Sequence, residues 1–117
     1  MHTLIVGPGA LGGLLASILT MGKNDSDTVS LLDYNQARAE EINNHGLRYE
    51  KDGKITIFNV EVFAAPKDIS HVDVIFLCVK SYDVEKSLQF CKPLFHKNCL
   101  VIFMQNGIAH LTQDKNV

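Results

Sequence analysis

The segment that decides the fold is Leu4-Ile5-Val6-Gly7-Pro8-Gly9-Ala10-Leu11-Gly12. A short apolar run leads directly into the pattern G-x-G-x-x-G, which is followed by an uncharged stretch with helical periodicity. This arrangement is typical of a strand, a phosphate-binding turn and a helix. Gly7 allows the tight turn, Gly9 lets the backbone approach a pyrophosphate, and Gly12 lets the helix lie close to the sheet. An anion is favoured there by the unpaired N–H groups and by the positive end of the helix dipole.

The glycine segment therefore predicts a dinucleotide site, although a plain turn between strand and helix is the alternative interpretation. Its candidate cofactor-binding residues are Gly7, Pro8, Gly9, Ala10, Leu11 and Gly12. Asp33 ends the second predicted strand and follows at close to the spacing of about 20 residues expected for a ribose-binding acid. Such a carboxylate accepts hydrogen bonds from ribose hydroxyls and repels a 2′-phosphate, which favours NAD(H). The alternative for Asp33 is a cap for the following helix.

The composition fits one globular domain and excludes several classes of function. The chain has 117 residues, a hydrophobic content of 46% and a net charge of −2, so we expect neither nucleic-acid nor membrane binding. The apolar start has no positively charged region and is broken at Gly7-Pro8-Gly9, which argues against a signal peptide or a membrane span. Three cysteines without C-x-x-C spacing suit a reducing compartment, so we expect a cytoplasmic protein.

Apolar periodicity predicts alternating strands and helices. Helices are expected over residues 10–21, 36–44 and from Ser81 to near Pro93; strands are expected over 29–32, 47–50, 55–63, 72–79 and 100–103. Asp52-Gly53 predicts a hairpin turn, and Gly22 and Gly46 are expected to end the first two helices. In the first helix, the side chains expected to pack on the sheet are Leu11, Leu14, Leu15, Ile18 and Leu19. The predicted fold class is α/β, a Rossmann-type doubly wound and mainly parallel sheet with helices on both faces.

Three predicted strand ends carry candidate site residues. These are the glycine segment, Lys80-Ser81 after the apolar run Val74-Ile75-Phe76-Leu77-Cys78-Val79, and Gln105-Asn106-Gly107 after the last strand. Ligands of open α/β sheets bind beyond the carboxyl ends of the strands, so these segments are expected to converge. Lys80 is alternatively an ordinary solvated lysine, and Asn106-Gly107 a simple turn. The histidines have no metal-ligand spacing, so no metal site is expected, and no general acid or base is evident.

Gly7-x-Gly9-Ala10-Leu11-Gly12, Val79-Lys80 and Gln105-Asn106-Gly107 together resemble the N-terminal domain of the ketopantoate reductases (2-dehydropantoate 2-reductases). The resemblance covers essentially residues 1–117, as one NAD(P)-binding Rossmann domain. It implies that an NADP(H)-dependent enzyme reduces 2-dehydropantoate to pantoate in pantothenate biosynthesis. It also implies that Lys80 lines the cofactor site, and that Asn106 lies beside both the nicotinamide and the substrate.

The resemblance further implies that the catalytic lysine and the substrate-binding residues belong to a helical C-terminal domain outside these residues. No catalytic residue is therefore assigned in this chain, which is expected to be a fragment that binds cofactor without appreciable turnover. Asp33-Tyr34 stands where the family often has a basic residue for the 2′-phosphate, and Arg38, one turn into the second predicted helix, is the residue that could compensate. NAD(H) therefore stays open beside NADP(H). Two other functions also stay open: a domain of another 2-keto or 3-hydroxy acid dehydrogenase, and a non-catalytic NAD(P)-sensing module.

Overall fold

A five-stranded parallel sheet forms the centre of the molecule. The computed structural model describes residues 1–7, 9–80 and 83–104. In chain order its elements are β1 (His2–Val6), α1 (Ala10–Gly22), β2 (Thr28–Leu32), α2 (Gln36–His45), β3 (Leu47–Lys51), β4 (Lys54–Phe58), β5 (Glu61–Phe63), β6 (Val74–Leu77), α3 (Val84–Cys91) and β7 (Leu100–Phe103). The parallel strands lie in the order β5-β2-β1-β6-β7, with β1 in the middle.

Helices cover both faces of this sheet, which confirms the predicted fold class. On one face, α3 packs Leu88 and Cys91 onto strand residues that include Leu4 and Leu77. On the other face, Ala16 of α1 and Ala39 of α2 pack in a second apolar cluster with strand residues such as Ile5 and Leu31. Because β1 and β6 contribute side chains to both clusters, their sequences are almost continuously apolar. This explains why the run 74–79 predicted an interior strand.

The face that α1 buries differs from the one predicted. Leu11, Leu14 and Ile18 are between 43% and 48% exposed. Gly12 and Ala16 are buried instead, and Leu15 and Leu19 are partly buried. The physical reason is the close approach of the helix to the strand ends, where only small side chains fit beneath it. The prediction was therefore right for Leu15 and Leu19 and wrong for the other three leucine and isoleucine side chains.

The Asp52-Gly53 hairpin is confirmed, but the single strand predicted over 55–63 is wrong. Asp52 and Gly53 have φ values of 53° and 76°, and β3 and β4 pair antiparallel on either side of them. The chain leaves β4 after Phe58, buries Val60 in the core, and enters the parallel sheet as β5. Residues 55–63 are thus divided between two sheets, a change of partner that periodicity along one segment does not reveal.

The remaining helix ends largely follow their local signals. Gly46 ends α2 with a φ of 83°, and its N–H bonds to the carbonyl of Ile42 at 2.8 Å. Gly22 is the last residue of α1, and α3 passes into a single 3₁₀ turn that contains Pro93. Ser81, predicted to cap α3, lies outside the described residues, and the helix there begins at Val84. No helix in the described ranges has the length and apolar character needed to cross a membrane.

Candidate functional site

The glycine turn joins the carboxyl end of β1 to the amino end of α1. Gly7 has a φ of 89°, a conformation that favours glycine, and its N–H donates to the carbonyl of Leu32 at 3.2 Å. A Cβ at this position would lie 2.9 Å from the Val79 side chain and 3.1 Å from the carbonyl oxygen of Cys78. The turn therefore packs tightly against the segment that follows β6. Gly7 has the structural role that the motif predicts.

Gly9 and Gly12 occupy opposite environments. A Cβ built on Gly9 would meet nothing within 4 Å, whereas one on Gly12 would overlap the carbonyl oxygen of Gly7. Gly9 precedes the first turn of α1, which has no acidic residue and no capping side chain among the described residues. The N–H groups of that turn thus have room in front of them and no side-chain acceptor. This geometry fits a bound pyrophosphate.

A cavity of about 380 Å³ opens beside this turn, at the carboxyl ends of β1 and β2. Its volume lies in the range of small-molecule sites. One wall comes from the strand ends and the segment after β2, and the opposite wall comes from Val79 and α3. The residues that line it are Val6, Gly7, Leu32, Asp33, Tyr34, Arg38, Val79, Asp83, Lys86, Ser87 and Phe90. The structure therefore brings the predicted residues Gly7 and Asp33 to one site.

Asp33 lies in the wall of this cavity in an ion pair with Arg38. Its side chain is 1% exposed, and Nε and an Nη of Arg38 donate to its two carboxylate oxygens, the second at 2.8 Å. The N–H of Asn35 donates to the same carboxylate at 3.0 Å. Hydrogen bonding to Asp33 raises the pKa of Arg38, which stays charged. The sequence predicted Asp33 at the site and named Arg38 only as a compensating charge, so the ion pair between the two side chains was not predicted.

The interpretation of Asp33 as the cap of α2 is wrong. The N-cap is Asn35, whose side-chain oxygen accepts from the N–H of Arg38 at 3.0 Å. Asp33 instead stabilises the turn that leads to the helix, because it accepts from the N–H of Asn35 while holding the Arg38 side chain. The turn between β2 and α2 therefore fixes Arg38 at the mouth of the cavity. The sequence signal for the cap was present, since Asn is as favourable an N-cap as Asp.

Two aromatic side chains form the outer part of the cavity. Tyr34 is 74% exposed, and its ring meets that of Phe90 edge-on with centroids 6.4 Å apart. Phe90 also packs against the apolar cluster below α3. An exposed aromatic edge beside an apolar wall suits the flat ring of a nucleobase. Tyr34 was named in the sequence only as the neighbour of Asp33, and its role in the cavity wall is new.

The other predicted site residues have different outcomes. Lys80 is exposed at the same edge of the sheet, and its carbonyl accepts from the N–H of Asp83 at 2.8 Å, but it does not line the cavity. Ala10 and Leu11 begin α1, and Leu11 is 43% exposed. Pro8 and Asn106 lie outside the described residues. The contacts of Lys80 and Asn106 with a cofactor or substrate stay predictions.

Cys78 lies directly beneath the glycine turn. Its N–H donates to the carbonyl of Val6 at 2.8 Å, and its side chain is close to the position that a Cβ of Gly12 would occupy. Burial raises the pKa of its thiol to about 11, so the sulfur is protonated at neutral pH and is a poor nucleophile. In the part of the chain that the structure describes, no group of three or more His, Cys, Asp or Glu residues could hold a metal ion.

Comparison with known protein families assigns the chain to one of them. The family model described as ketopantoate reductase PanE/ApbA matches residues 3–116. The chain belongs to the ketopantoate reductase family. This confirms the resemblance seen in the glycine segment and the later strand ends.

Individual relatives show the same relationship over part of their length. The 2-dehydropantoate 2-reductase of Lactococcus lactis is 31% identical over 94% of this chain and 35% of its own. A structure from Enterococcus faecalis assigned as 2-dehydropantoate 2-reductase matches with a TM-score of 0.75 and 26% identity, over 99% of this chain and 37% of that one. A ternary structure of D-mandelate dehydrogenase with NADH and anilino(oxo)acetate matches with a TM-score of 0.79 and 27% identity, over the same shares. The chain spans about a third of the length of these relatives.

Proposed function

We propose that residues 1–117 form the cofactor-binding domain of an NAD(P)-dependent reductase of 2-keto acids, most specifically of 2-dehydropantoate to pantoate. The observation that carries the proposal is the cavity at the carboxyl ends of β1 and β2, which adjoins the glycine turn. This is the edge of the sheet at which doubly wound folds bind their ligands. Family membership and relatives named 2-dehydropantoate 2-reductase support the choice of substrate.

Two parts of a dinucleotide, the pyrophosphate and the adenosine half, have complementary regions in the described site. The open space at Gly9 and the first turn of α1 suit the pyrophosphate. The cavity between Asp33 and Phe90 suits the adenosine half, with apolar surface for the base and charged groups at its rim. When bound, the nicotinamide would supply the hydride for reduction of a carbonyl. By family resemblance, Lys80 would line the cofactor site, and the side-chain amide of Asn106 would orient the nicotinamide or the substrate.

In the proposed enzyme, residues outside 1–117 transfer the proton to the substrate. The resemblance assigns the catalytic lysine and the substrate-binding groups to a helical domain outside residues 1–117. We therefore expect the 117-residue chain to bind the dinucleotide without measurable reduction of 2-dehydropantoate, because carbonyl reduction also needs a proton donor. A cytoplasmic location is part of the proposal, and free thiols at Cys78, Cys91 and Cys99 favour a reducing compartment.

A second candidate is a dehydrogenase that acts on a different 2-keto or 2-hydroxy acid. The match to D-mandelate dehydrogenase favours it, because that structure contains NADH and the 2-oxo compound anilino(oxo)acetate. Both candidates require the same dinucleotide site in these residues. They differ in the substrate, so a panel of 2-keto acids offered to an enzyme that contains this domain separates them.

The test is a calorimetric titration of the chain with NADPH, NADH and ADP-ribose. We expect saturable one-to-one binding of all three, because ADP-ribose retains the pyrophosphate and adenosine that the described site is proposed to hold. The variant Gly9→Val adds a branched side chain in the open space before α1, and we expect it to bind ADP-ribose more weakly than the unmodified chain does. A chain that is folded by circular dichroism but binds none of the three ligands would contradict the proposal.

A further inference from the structure

We propose that His96 is an acid-sensitive latch at the amino end of the parallel sheet: its neutral ring connects the segment before β7 to the segment before β6, and protonation of the ring releases them. His96 lies in the turn that leads into β7, and Val72 lies just before β6. Because the strands are parallel, both segments lie at the edge of the sheet opposite the cavity. The latch is therefore independent of the ligand that the cavity binds.

The hydrogen-bond partners of His96 define its neutral form. Its Nε2 lies 2.7 Å from the carbonyl oxygen of Val72, and its Nδ1 lies 3.2 Å from the backbone nitrogen of Asn98. A carbonyl only accepts and a backbone N–H only donates, so Nε2 carries the proton and Nδ1 presents a lone pair. A second proton, on Nδ1, would face the N–H of Asn98 and would remove that hydrogen bond. The connection thus requires the neutral ring.

His2, in the same cluster, differs from His96 in one partner. Its Nδ1 lies 2.9 Å from the carbonyl oxygen of His71, and its Nε2 lies 2.9 Å from the hydroxyl oxygen of Ser30. A hydroxyl both donates and accepts, so Ser30 can bond to Nε2 whether or not that atom carries a proton. Protonation of His2 therefore keeps both hydrogen bonds, whereas protonation of His96 loses one.

The charges around His96 do not compensate for its protonation. Its ring stacks on that of His71, with the ring centroids 4.4 Å apart. The Nε2 of His71 bonds to a carboxylate oxygen of Asp73 at 3.2 Å, so Asp73 stabilises a positive charge on His71. That charge opposes a second one on the stacked ring of His96. Among the described residues, no carboxylate forms an ion pair with His96 itself.

The other ionisable groups beside the latch keep one charge state between pH 5.5 and 8. Hydrogen bonding from the His2 N–H lowers the pKa of Asp73, which stays charged. The N–H of Cys99 donates to the carbonyl of His96 at 3.0 Å, and burial, together with the charge of Asp73, raises the pKa of the Cys99 thiol, which stays neutral. Lys97 is exposed and adds a positive charge next to His96. The histidines are thus the side chains of this cluster that change charge in the range.

The test is urea denaturation of the 117-residue chain at pH values from 8 to 5.5, compared with His96→Asn. The asparagine offers its Oδ1 to the N–H two residues on, as in an Asx turn, and it does not gain a proton. It should begin less stable at pH 8, because the bond to the Val72 carbonyl is lost. On acidification, the midpoint of the unmodified chain should fall by about 0.5 M more than that of the variant, since one hydrogen bond is lost as His96 gains a proton.

Three further variants separate the latch from a general effect of histidine. His96→Gln keeps a donor for the Val72 carbonyl, does not titrate, and should be as insensitive to acid as His96→Asn. His2→Asn should retain the full acid-dependent loss, because Ser30 accommodates both forms of the original ring. His45→Asn removes an exposed histidine from the last turn of α2, where a positive charge is favourable, so the loss should become no smaller.

Solvent exchange of single amide protons, measured by NMR, locates the effect. Corrected for the intrinsic rate, protection of the Asn98 N–H should fall at least fivefold between pH 8 and 5.5 in the unmodified chain and stay constant in His96→Asn. The Gly46 N–H, which donates to the carbonyl of Ile42, should keep its protection in both. Constant protection at Asn98 in the unmodified chain, or equal midpoint changes in the unmodified chain and the two His96 variants, would overturn the inference.

Discussion

A Cβ atom on Gly12 would overlap the carbonyl oxygen of Gly7, so the third glycine of the motif is required by the first. The contact holds the start of α1 against the turn that leaves β1. It is a backbone contact, and neither partner can move aside by changing a rotamer. The motif is therefore a packing requirement as much as a ligand-binding one, and its three glycines should respond differently to substitution.

Gly12→Ala is expected to destabilise the fold. Insertion of a methyl group against the Gly7 carbonyl forces the helix away from the strand end, and we expect the free energy of unfolding to fall by about 3 kcal/mol. Urea denaturation measures this change. Gly22→Ala is the control, because a Cβ there meets nothing within 4 Å in the last turn of the same helix. It should be neutral or stabilising by up to about 1 kcal/mol. Equal effects at both positions would contradict the packing argument.

Gly9→Val is expected to affect binding far more than stability. The new side chain enters open space, so the fold should be retained, with a cost of about 1 kcal/mol because valine is a poor N-cap. The same side chain occupies the space proposed for the pyrophosphate, and we expect ADP-ribose affinity to fall at least tenfold. Calorimetry measures the affinity, and Gly22→Val at the other end of α1 is the matched control. Undiminished affinity in folded Gly9→Val would place the pyrophosphate elsewhere.

The sequence correctly predicted those turns and helix ends that depend only on the residues at the turn itself. The Asp52-Gly53 turn and the end of α2 at Gly46 follow from residues that tolerate positive φ. The buried face of α1 was mispredicted because the distance between helix and sheet is set at Gly12, and the stripe of large apolar residues carries no information about it. The pairing of Asp33 with Arg38 depends on the path of the turn between β2 and α2. No spacing rule specifies that path.

Asn43 illustrates a tertiary contact of the same kind. Its Nδ2 donates to the carbonyl of Val62 at 2.8 Å, and its Oδ1 accepts from the N–H of Val62 at 2.9 Å. The side-chain amide thus pairs with both backbone hydrogen-bonding groups of Val62 in the edge strand β5, as a neighbouring strand would. The adjacent residue Phe63 accepts from the N–H of Asp33 at 2.8 Å, so this contact also supports the cavity wall. Nothing in the sequence distinguished Asn43 from Asn44.

Asn43→Asp should therefore destabilise the protein by about 2 kcal/mol at neutral pH. The carboxylate keeps the acceptor for the Val62 N–H but places negative charge against the Val62 carbonyl, where a donor is needed. The neighbouring exposed residue provides a control: Asn44→Asp should change the free energy of unfolding by about 0.5 kcal/mol or less. Urea denaturation of both variants checks the prediction. A loss that is equal in the two would show that charge on α2, not the paired hydrogen bonds, is responsible.

The buried thiols predict a loss of stability at alkaline pH. Burial raises the pKa values of Cys78 and Cys91 to about 11 in the folded chain, whereas the pKa of a cysteine in an unfolded chain is about 8.5. The contribution of these protonated thiols to stability is thus complete below the unfolded pKa and is lost progressively as pH rises through that value to about 11.

Because lysine and tyrosine also titrate in this range, the informative quantity is the difference between the original chain and Cys91→Ser, measured by urea denaturation from pH 7.5 to 11. The serine variant should start less stable, since Cys91 is completely buried, and should lose less stability with rising pH. Parallel pH profiles would show that the Cys91 thiol does not ionise preferentially in the unfolded chain.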